Sequence, residues 1–498
     1  MFRSSAVTKT SALASQIQCK VPMPFKALQK KRLQHEIDQT CLAIADAPVG
    51  HDVSFSFLVL GDTDAGEASS RKAAFSSNAF SWQFAEQVMA HLGENRFLLH
   101  VGDVAYPSGS YENYLKYFLS PYRGLLTQLP SSPFYSSDEI TFNRPLLPVP
   151  GNHDYASTRA STKLLPRALR RLCDRLRSFG IDWGHYGGAG GEAYAQTFLD
   201  DLSKLSPAQL DQHLKAHYTA SEYVASDYAA SDCTPSGISG HQKTCLDYRP
   251  GLFTRLPNRY YRFRYGGVDF FALDSNTWKT TPTAADFDQA QLDWLEQSLI
   301  HSWADPEVVG RVVYLHHSPY TTESFYWQQL ETLWVRRHLR NVFERVAVSR
   351  RETKECIGNP PIVDLVLSGH AHCLEHLKTT QTGLGDAQID WVVCGGSGAG
   401  LRRQRSGNID ILENVTYQGQ SCTEVVARSQ LYAGKHGLGI KEQNFHSFIR
   451  VDVHPARAQK ISVCPFLVTD ADGYWQTRAI APLKLGTTAV KSHKMARV

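Results

Sequence analysis

The 498-residue sequence contains no run of about 18 to 20 consecutive apolar residues, so the signature of a transmembrane helix is missing. The continuous apolar region of a secretory signal is missing as well. The first 35 residues contain seven Lys or Arg and no Asp or Glu. We therefore expect a cytoplasmic protein, although an acidic-poor leader of this kind is also typical of an organellar transit segment.

Little net charge and scattered cysteines exclude two more classes. The net charge is +4, which is far from the concentrated basic face of a nucleic-acid-binding protein. The ten cysteines form no CxxC pair, so a zinc finger is not indicated. In a long chain without an export signal we expect most of them to be buried thiols, with Cys233 and Cys245 as the one candidate pair.

The composition is that of a globular protein, with 42% hydrophobic and 20% charged residues. We predict an N-terminal extension over residues 1–50, helical or partly disordered, with helical spacing over 20–46. The main domain follows over 51–490. Within it, helical periodicity and a Gly/Ser-rich loop identify 156–250 as a largely helical insertion.

Three apolar runs after residue 52 each end in polar side chains. FLVL and FLLHV lead to Asp62 and Asp103, and a helical pattern over 67–92 separates them. Strand, helix and strand predict a parallel βαβ unit, which places both aspartates at one edge of a sheet. The third run, PLLPVP, leads to Asn152 and His153.

Two later strands end in histidines. VVYL leads to His316 and His317, and IVDLVL leads to His370 and His372. Taken singly, these clusters could be turns, helix caps or histidine pairs whose hydrogen bonds are all made within the protein. Together they offer carboxylate, amide and imidazole ligands that suit two metal ions, and paired ions clamp the attacking and leaving oxygens of a phosphoester. The glycine cluster GGSGAG is predicted to be a tight turn near this site.

The blocks GDTDAG, GDVAY, GNHD, HHSPY and GHAH resemble, in this order, those of the calcineurin-like metallophosphoesterase superfamily. GDxxY is similar to the purple acid phosphatase branch. The resemblance covers about residues 52–455. It implies an α/β fold with a two-sheet sandwich flanked by helices.

The implied activity is hydrolysis of phosphate monoesters of small molecules, with a metal-bound hydroxide as nucleophile. Two other functions stay open, a phosphodiesterase of the same superfamily and a noncatalytic phosphate-binding scaffold. The sequence predicts no oligomeric state.

The resemblance also implies a ligand set. Ferric iron would be bound by Asp62, Asp103, Tyr106 and His372. A divalent ion, Fe²⁺, Zn²⁺ or Mn²⁺, would be bound by Asp103, Asn152, His317 and His370, with Asp103 as the bridge.

Three further residues, which lie next to or near predicted ligands in the sequence, complete the prediction. HSP matches the family's His-x-Pro pattern, which leaves His316 as a packing residue or as one that supports the metal ligands. His153 would be catalytic, stabilising charge on the phosphate or protonating the leaving oxygen, and Asp154 would orient its ring.

Two segments depart from the family pattern. Asp64 stands where purple acid phosphatases usually have glycine, and it could be an added ligand or bond the adjacent loop. After HHSPY the chain reads TTESFYWQQ, where plant-type enzymes have substrate-binding histidines. We therefore expect substrate contacts from elsewhere, such as His185 or arginines of the insertion.

Overall fold

In the computed structural model the described residues extend from 37 to 486, with gaps at 49, 51, 64–70, 133–134, 156–190, 221–243, 285–286, 353–359, 381–382, 408, 418–419, 438–441, 458 and 472–473. The first part of the predicted insertion, residues 156–190, lies in one of these gaps. Across the described ranges, no helix is long and apolar enough to cross a membrane.

Two large β-sheets form the body of the protein. Their strands and those of a small hairpin are β1 Ile37–Ile44, β2 Phe55–Leu60, β3 Leu98–His100, β4 Leu146–Pro148, β5 Tyr218–Ala220, β6 Thr244–Tyr248, β7 Tyr261–Tyr265, β8 Val268–Ala272, β9 Gly310–His317, β10 Leu365–Gly369, β11 Leu374–Thr379, β12 Asp390–Cys394, β13 Ile411–Tyr417, β14 Gln420–Ala433, β15 Lys435–His436, β16 Gln443–Asn444, β17 His446–Val453, β18 Ile461–Ala471 and β19 Tyr474–Ala479.

The larger sheet has eleven strands in the order β13-β14-β11-β12-β10-β9-β8-β7-β1-β6-β5, and the smaller has six in the order β19-β18-β17-β2-β3-β4. In the smaller sheet β2, β3 and β4 are parallel neighbours. In the larger sheet β8, β9, β10 and β12 are parallel neighbours. Strands β15 and β16 pair only with each other.

Helices connect and cover these strands. They are α1 Arg71–Ala90, α2 Tyr111–Asn113, α3 Asn152–Tyr155, α4 Glu192–Phe198, α5 Pro207–His217, α6 Gln289–Ala304 and α7 Leu330–Glu352. Helix α2 continues as a π-helical turn over Tyr114–Leu119. Short 3₁₀ turns lie at Arg123–Leu125, Ser137–Glu139, Leu202–Lys204 and Ser275–Thr277.

Aromatic side chains fill the space between the two sheets. Phe57 stacks on Phe97 within the smaller sheet, with ring centroids 4.7 Å apart, and meets Phe270 of the larger sheet edge-on at 5.4 Å. A second core on the outer face of the larger sheet includes residues of β8 and β9 packed with leucines of α6 and α7. The sheets are therefore packed as a sandwich with helices outside, which confirms the predicted fold.

Alternate residues of strand β9 belong to the two different cores. Val312 and Tyr314 belong to the core between the sheets, whereas Val313 and Leu315 belong to the outer core. This is the two-residue alternation of a strand that is buried on both faces. The same alternation determines on which face of the sheet His316 and His317, the last two residues of β9, each lie.

The predicted helix over 20–46 is wrong where the structure describes it, because residues 37–44 form strand β1 between β7 and β6. Alternating burial along IDQTCLAI favours a strand, and pairing partners distant in sequence supply its hydrogen bonds. The predicted cysteine pair is wrong as well: Cys245 forms a disulfide with Cys41, which joins the neighbouring strands β1 and β6. Cys233 lies outside the described residues.

Candidate metal centre

The strands of both sheets place polar side chains at one common edge. Asp62, Asp103 and Asn152 follow the ends of the parallel strands β2, β3 and β4. His317 is the last residue of β9, and His370 follows β10, the parallel neighbour of β9. The pairing of β9 and β10 shifts register between Ser368 and Gly369, directly before the histidine loop. The polar blocks of the sequence therefore converge through sheet topology.

Three of these residues have a left-handed backbone. The φ angle is 54° at Asp62, 53° at Asp103 and 66° at His370. Such a conformation costs a non-glycine residue on the order of 1–3 kcal/mol, so the surrounding contacts must hold it in place. The amide of Asp62 donates to the Gly102 carbonyl at 3.0 Å, and the amide of His370 donates to Asp62 Oδ2 at 2.8 Å. Strain shared by three adjacent polar residues is typical of a functional site.

Two glycines allow the backbone to approach the aspartates. A Cβ atom at Gly151 would collide with the carboxylate and amide of Asp103, and one at Gly369 would collide with the carboxylate of Asp62. Both glycines are thus required by the closeness of the loops, which explains why the blocks read GNHD and GHAH.

Tyr106 is the centre of the first half of the site. Its hydroxyl donates to Asp103 Oδ2 at 2.6 Å and lies 3.1 Å from both Asp62 Oδ1 and His372 Nε2. The Nδ1 atom of His372 lies 2.9 Å from the carbonyl of Gly400, so Nε2 faces the carboxylates. All four residues predicted for the first ion are therefore in contact. Gly400 ends the predicted glycine turn, which does lie beside the site.

The second half is built around His316. Its Nε2 lies 3.0 Å from Asn152 Oδ1, 3.2 Å from His370 Nδ1 and 3.4 Å from Asp103 Oδ2. Its other nitrogen, Nδ1, lies 3.0 Å from the Val101 carbonyl. Asp103, His316 and His370 are all buried and their ligand atoms could hold one metal ion. The structure thus brings together Asp103, Asn152 and His370 as predicted, with His316 beside them.

His317, the histidine selected from the sequence, packs on the His370 ring with centroids 4.5 Å apart but has other polar neighbours than His316. Its Nδ1 lies 2.8 Å from the Ser275 hydroxyl, and its Nε2 is 3.8 Å from Glu331 Oε2. Glu331, His317 and His370 form a second group that could hold a metal ion. The reason is the alternation of β9, in which His316 shares the face of Tyr314 toward the smaller sheet. Counting faces along VVYLHH would have indicated this from the sequence.

Burial and charge set the protonation of the ionisable groups at the site. Burial alone would raise the pKa of Asp103, but His316, His153 and the Tyr106 hydroxyl hold it well below its usual value. Burial alone would lower the pKa of His316, and the negative charge of Asp103 outweighs it and raises that pKa to about 9. Burial, together with the neighbouring histidines, keeps the pKa of His317 and His370 well below the usual value.

These protonation states suit a metal centre. An ionised carboxylate and a neutral imidazole are the forms that bind metal ions. His317 and His370 are in the neutral form, whereas His316 would release its proton on binding a metal ion. The Nε2 atoms of His317 and His370 are buried without a hydrogen-bond partner. A buried polar atom without a partner is rare and calls for an explanation, and a bound cation is one.

His153 lies at the open side of the site. Its ring is 4.2 Å from the Tyr106 ring, its amide donates to Asp103 Oδ1 at 2.8 Å, and its Nδ1 lies 3.0 Å from the Pro107 carbonyl. Because a carbonyl only accepts hydrogen bonds, Nδ1 carries the hydrogen of that contact.

Asp154 has a different function from the predicted one. Its carboxylate accepts hydrogen bonds from the amides of Gly151 at 2.8 Å and Val104 at 3.1 Å and from the Tyr114 hydroxyl at 2.5 Å. It thus joins the loops after β3 and β4, and the carbonyl of Pro107 orients the His153 ring. Asp64 and His185, named above as possible contacts, lie outside the described residues.

A family model described as calcineurin-like phosphoesterase matches residues 55–374. The chain belongs to this family. That range includes all the converging strand ends, from β2 to the histidine loop after β10. Members are phosphoester hydrolases with a metal centre, and the clustered aspartates and histidines include groups that could hold a metal ion. No curated protein matches the chain.

Three solved structures are similar in fold. Purple acid phosphatase PPD1 from yellow lupin (Lupinus luteus) seeds is 13% identical, with 88% of this chain and 56% of that chain covered and a TM-score of 0.43. PhoD is 10% identical, with 91% and 75% covered and a TM-score of 0.40. GAP50, the anchor in the inner membrane complex of Plasmodium, is 13% identical, with 88% and 90% covered and a TM-score of 0.38. This calcineurin-like phosphoesterase thus spans little more than half of the lupin protein, and similarity at this level says nothing about its activity.

Proposed function

We propose that this phosphoesterase hydrolyses phosphate monoesters at a binuclear centre of the purple acid phosphatase type. One observation carries the proposal: Asp103 Oδ2 lies between the two halves of the site, 2.6 Å from the Tyr106 hydroxyl and 3.4 Å from His316 Nε2. A single carboxylate oxygen facing two sets of ligands is the arrangement that lets two ions share a bridge. The tyrosine hydroxyl favours a highly charged first ion, because a phenolate is a hard anionic ligand.

The donor set fits the ions that the family resemblance implies. Asp62, Asp103, Tyr106 and His372 would hold ferric iron. Asp103, Asn152, His370 and His316 would hold Fe²⁺, Zn²⁺ or Mn²⁺, with His316 taking the position first given to His317. Two such ions would polarise the phosphoester and lower the pKa of a water molecule.

The remaining chemistry belongs to the chain. Since Nδ1 of His153 is fixed on the Pro107 carbonyl, Nε2 is the atom that would hold a proton for the leaving oxygen. The buried carboxylate of Asp154 keeps the loop that bears His153 against the loop that bears Asp103. Positioning of this kind contributes to catalysis because the reacting groups need no further reorganisation.

Initial rates on 4-nitrophenyl phosphate and bis(4-nitrophenyl) phosphate test the proposal. We expect faster turnover of the monoester by the metal-loaded protein, and loss of at least two orders of magnitude in kcat for Asp103→Asn. A faster rate on the diester would favour the phosphodiesterase alternative. Stoichiometric metal without turnover of either ester would favour a noncatalytic scaffold.

A further inference from the structure

Two loops meet beside the histidine ligands and form an ordered surface. The segment 321–327, which replaces the substrate-binding histidines of plant-type enzymes, pairs with the segment 401–405. The amide of Ser324 donates to the Arg403 carbonyl and the amide of Arg405 donates to the Thr322 carbonyl, each at 2.9 Å. Glu323 and Gln404 form an isolated antiparallel bridge between them.

Two fully buried glutamates fix the first of these loops. Glu323 accepts hydrogen bonds from the amides of Phe325 and Tyr326, both at 2.9 Å. Glu375 of β11 accepts from the Thr322 amide at 2.9 Å and from the Thr321 hydroxyl at 2.8 Å. Carboxylates that accept several hydrogen bonds in a buried setting hold a loop in one conformation. The side chains that this loop presents are therefore held in place before any ligand binds.

The presented side chains form an aromatic–arginine patch, which consists of Phe325, Tyr326 and Arg402. The guanidinium of Arg402 lies 4.7 Å from the centroid of Phe325 and 5.2 Å from that of Tyr326. The Tyr326 ring in turn packs on the His370 ring, with centroids 4.0 Å apart. The amide of Arg402 donates to the His372 carbonyl at 3.0 Å. The patch thus contacts both histidines of the GHAH block.

Stacking on aromatic rings suits a guanidinium that must also bind an anion. A guanidinium that covers an aromatic ring with its flat face has its N–H donors at the edge, in a planar fork that matches phosphate oxygens. Phe325 and Arg402 are both only partly buried. A cationic fork and an apolar ring therefore stand side by side next to the metal ligands.

We propose that Arg402 binds an anionic oxygen of the phosphoester and that Phe325 contacts its leaving group, which makes esters with a planar, apolar leaving group the favoured class. This assignment rests on the proposed function, because it takes the phosphate to lie at the metal centre. It also explains how the chain does without the histidines of the plant-type enzymes.

The test compares Arg402→Ala and Arg402→Lys with Arg403→Ala in the full-length, metal-loaded protein. Arg403, which lies in the same loop as Arg402, is the matched control, since its guanidinium donates to the Glu442 carboxylate at 2.8 Å. For Arg402→Ala we expect the KM for 4-nitrophenyl phosphate and the dissociation constant of inorganic phosphate to rise roughly tenfold or more. Arg402→Lys should recover part of the lost affinity. In the control, Arg403→Ala, both constants should stay within about twofold of the wild-type values.

Phe325→Ala tests the leaving-group contact. It should raise KM for 4-nitrophenyl phosphate and leave the affinity for inorganic phosphate unchanged, because phosphate has no leaving group. The assignment is overturned if Arg402→Ala keeps wild-type phosphate affinity, or if the wild-type protein binds no phosphate. If phosphate binding depends on Arg402 but the protein has no esterase activity, the assignment is supported and the proposed function is refuted.

Discussion

The hydrogen bond from Tyr114 to Asp154 should be among the most stabilising single contacts around the site. Asp154 is fully buried, and burial and the charge of Asp103 raise its pKa to about 7, so it is ionised at pH 8. Tyr114→Phe removes a 2.5 Å hydrogen bond to this carboxylate. A hydrogen bond to a charged group contributes about 1.5–3 kcal/mol, which is the loss we expect in the free energy of unfolding.

Tyr194→Phe is the matched control. Tyr194 is as deeply buried, but its hydroxyl donates to the neutral carbonyl of Pro148 at 3.0 Å, a contact for which about 0.5–1.5 kcal/mol is expected. Urea denaturation at pH 8 measures the free energy of unfolding of both variants and of the wild-type protein. Tyr114→Phe should also lower kcat, because Asp154 joins the loops that carry Asp103 and His153. Equal losses of stability in the two variants, with kcat unchanged, would refute this reasoning.

Two further predictions concern histidines. His316→Ala should remove about one equivalent of bound metal, measured by elemental analysis, while His317→Ala should retain more; the reverse order would restore the sequence-based assignment. His446 is buried against Phe80, and burial lowers its pKa to about 4. The unfolded ring is protonated below about pH 6.5, so stability should fall by about 2 kcal/mol between pH 7 and pH 5 through this group. His446→Gln should reduce that dependence in denaturant titrations, and an unchanged slope would contradict it.

The sequence predicted the strands and strand ends of the site well because apolar runs and the residues that end them are local features. The polar blocks at Asp62, Asp103 and Asn152 follow three parallel strands as expected. Helix α1 also forms where periodicity indicated it. Each of these features depends on contacts within a short stretch of chain.

What the sequence missed depends on distant partners. Strand β1 forms because β6 and β7, about two hundred residues away, pair with it, and Cys41 finds Cys245 across that contact with a separation of 204 residues. The contact of Arg402 with Tyr326 likewise joins two loops from different parts of the chain. The histidine pair is a different case: alternation along β9 favours His316 as the ligand, the His-x-Pro pattern favours His317, and the metal content of the two variants decides between them.

The metal content and visible spectrum of the purified protein test the central claim most directly. A binuclear centre with Tyr106 as a ligand predicts about two metal ions per chain, one of them iron, and visible charge-transfer absorption that disappears in Tyr106→Phe. A colourless protein that holds only zinc or manganese would contradict the iron–tyrosinate assignment. A protein that binds a single ion, or none, would contradict the bridging position of Asp103.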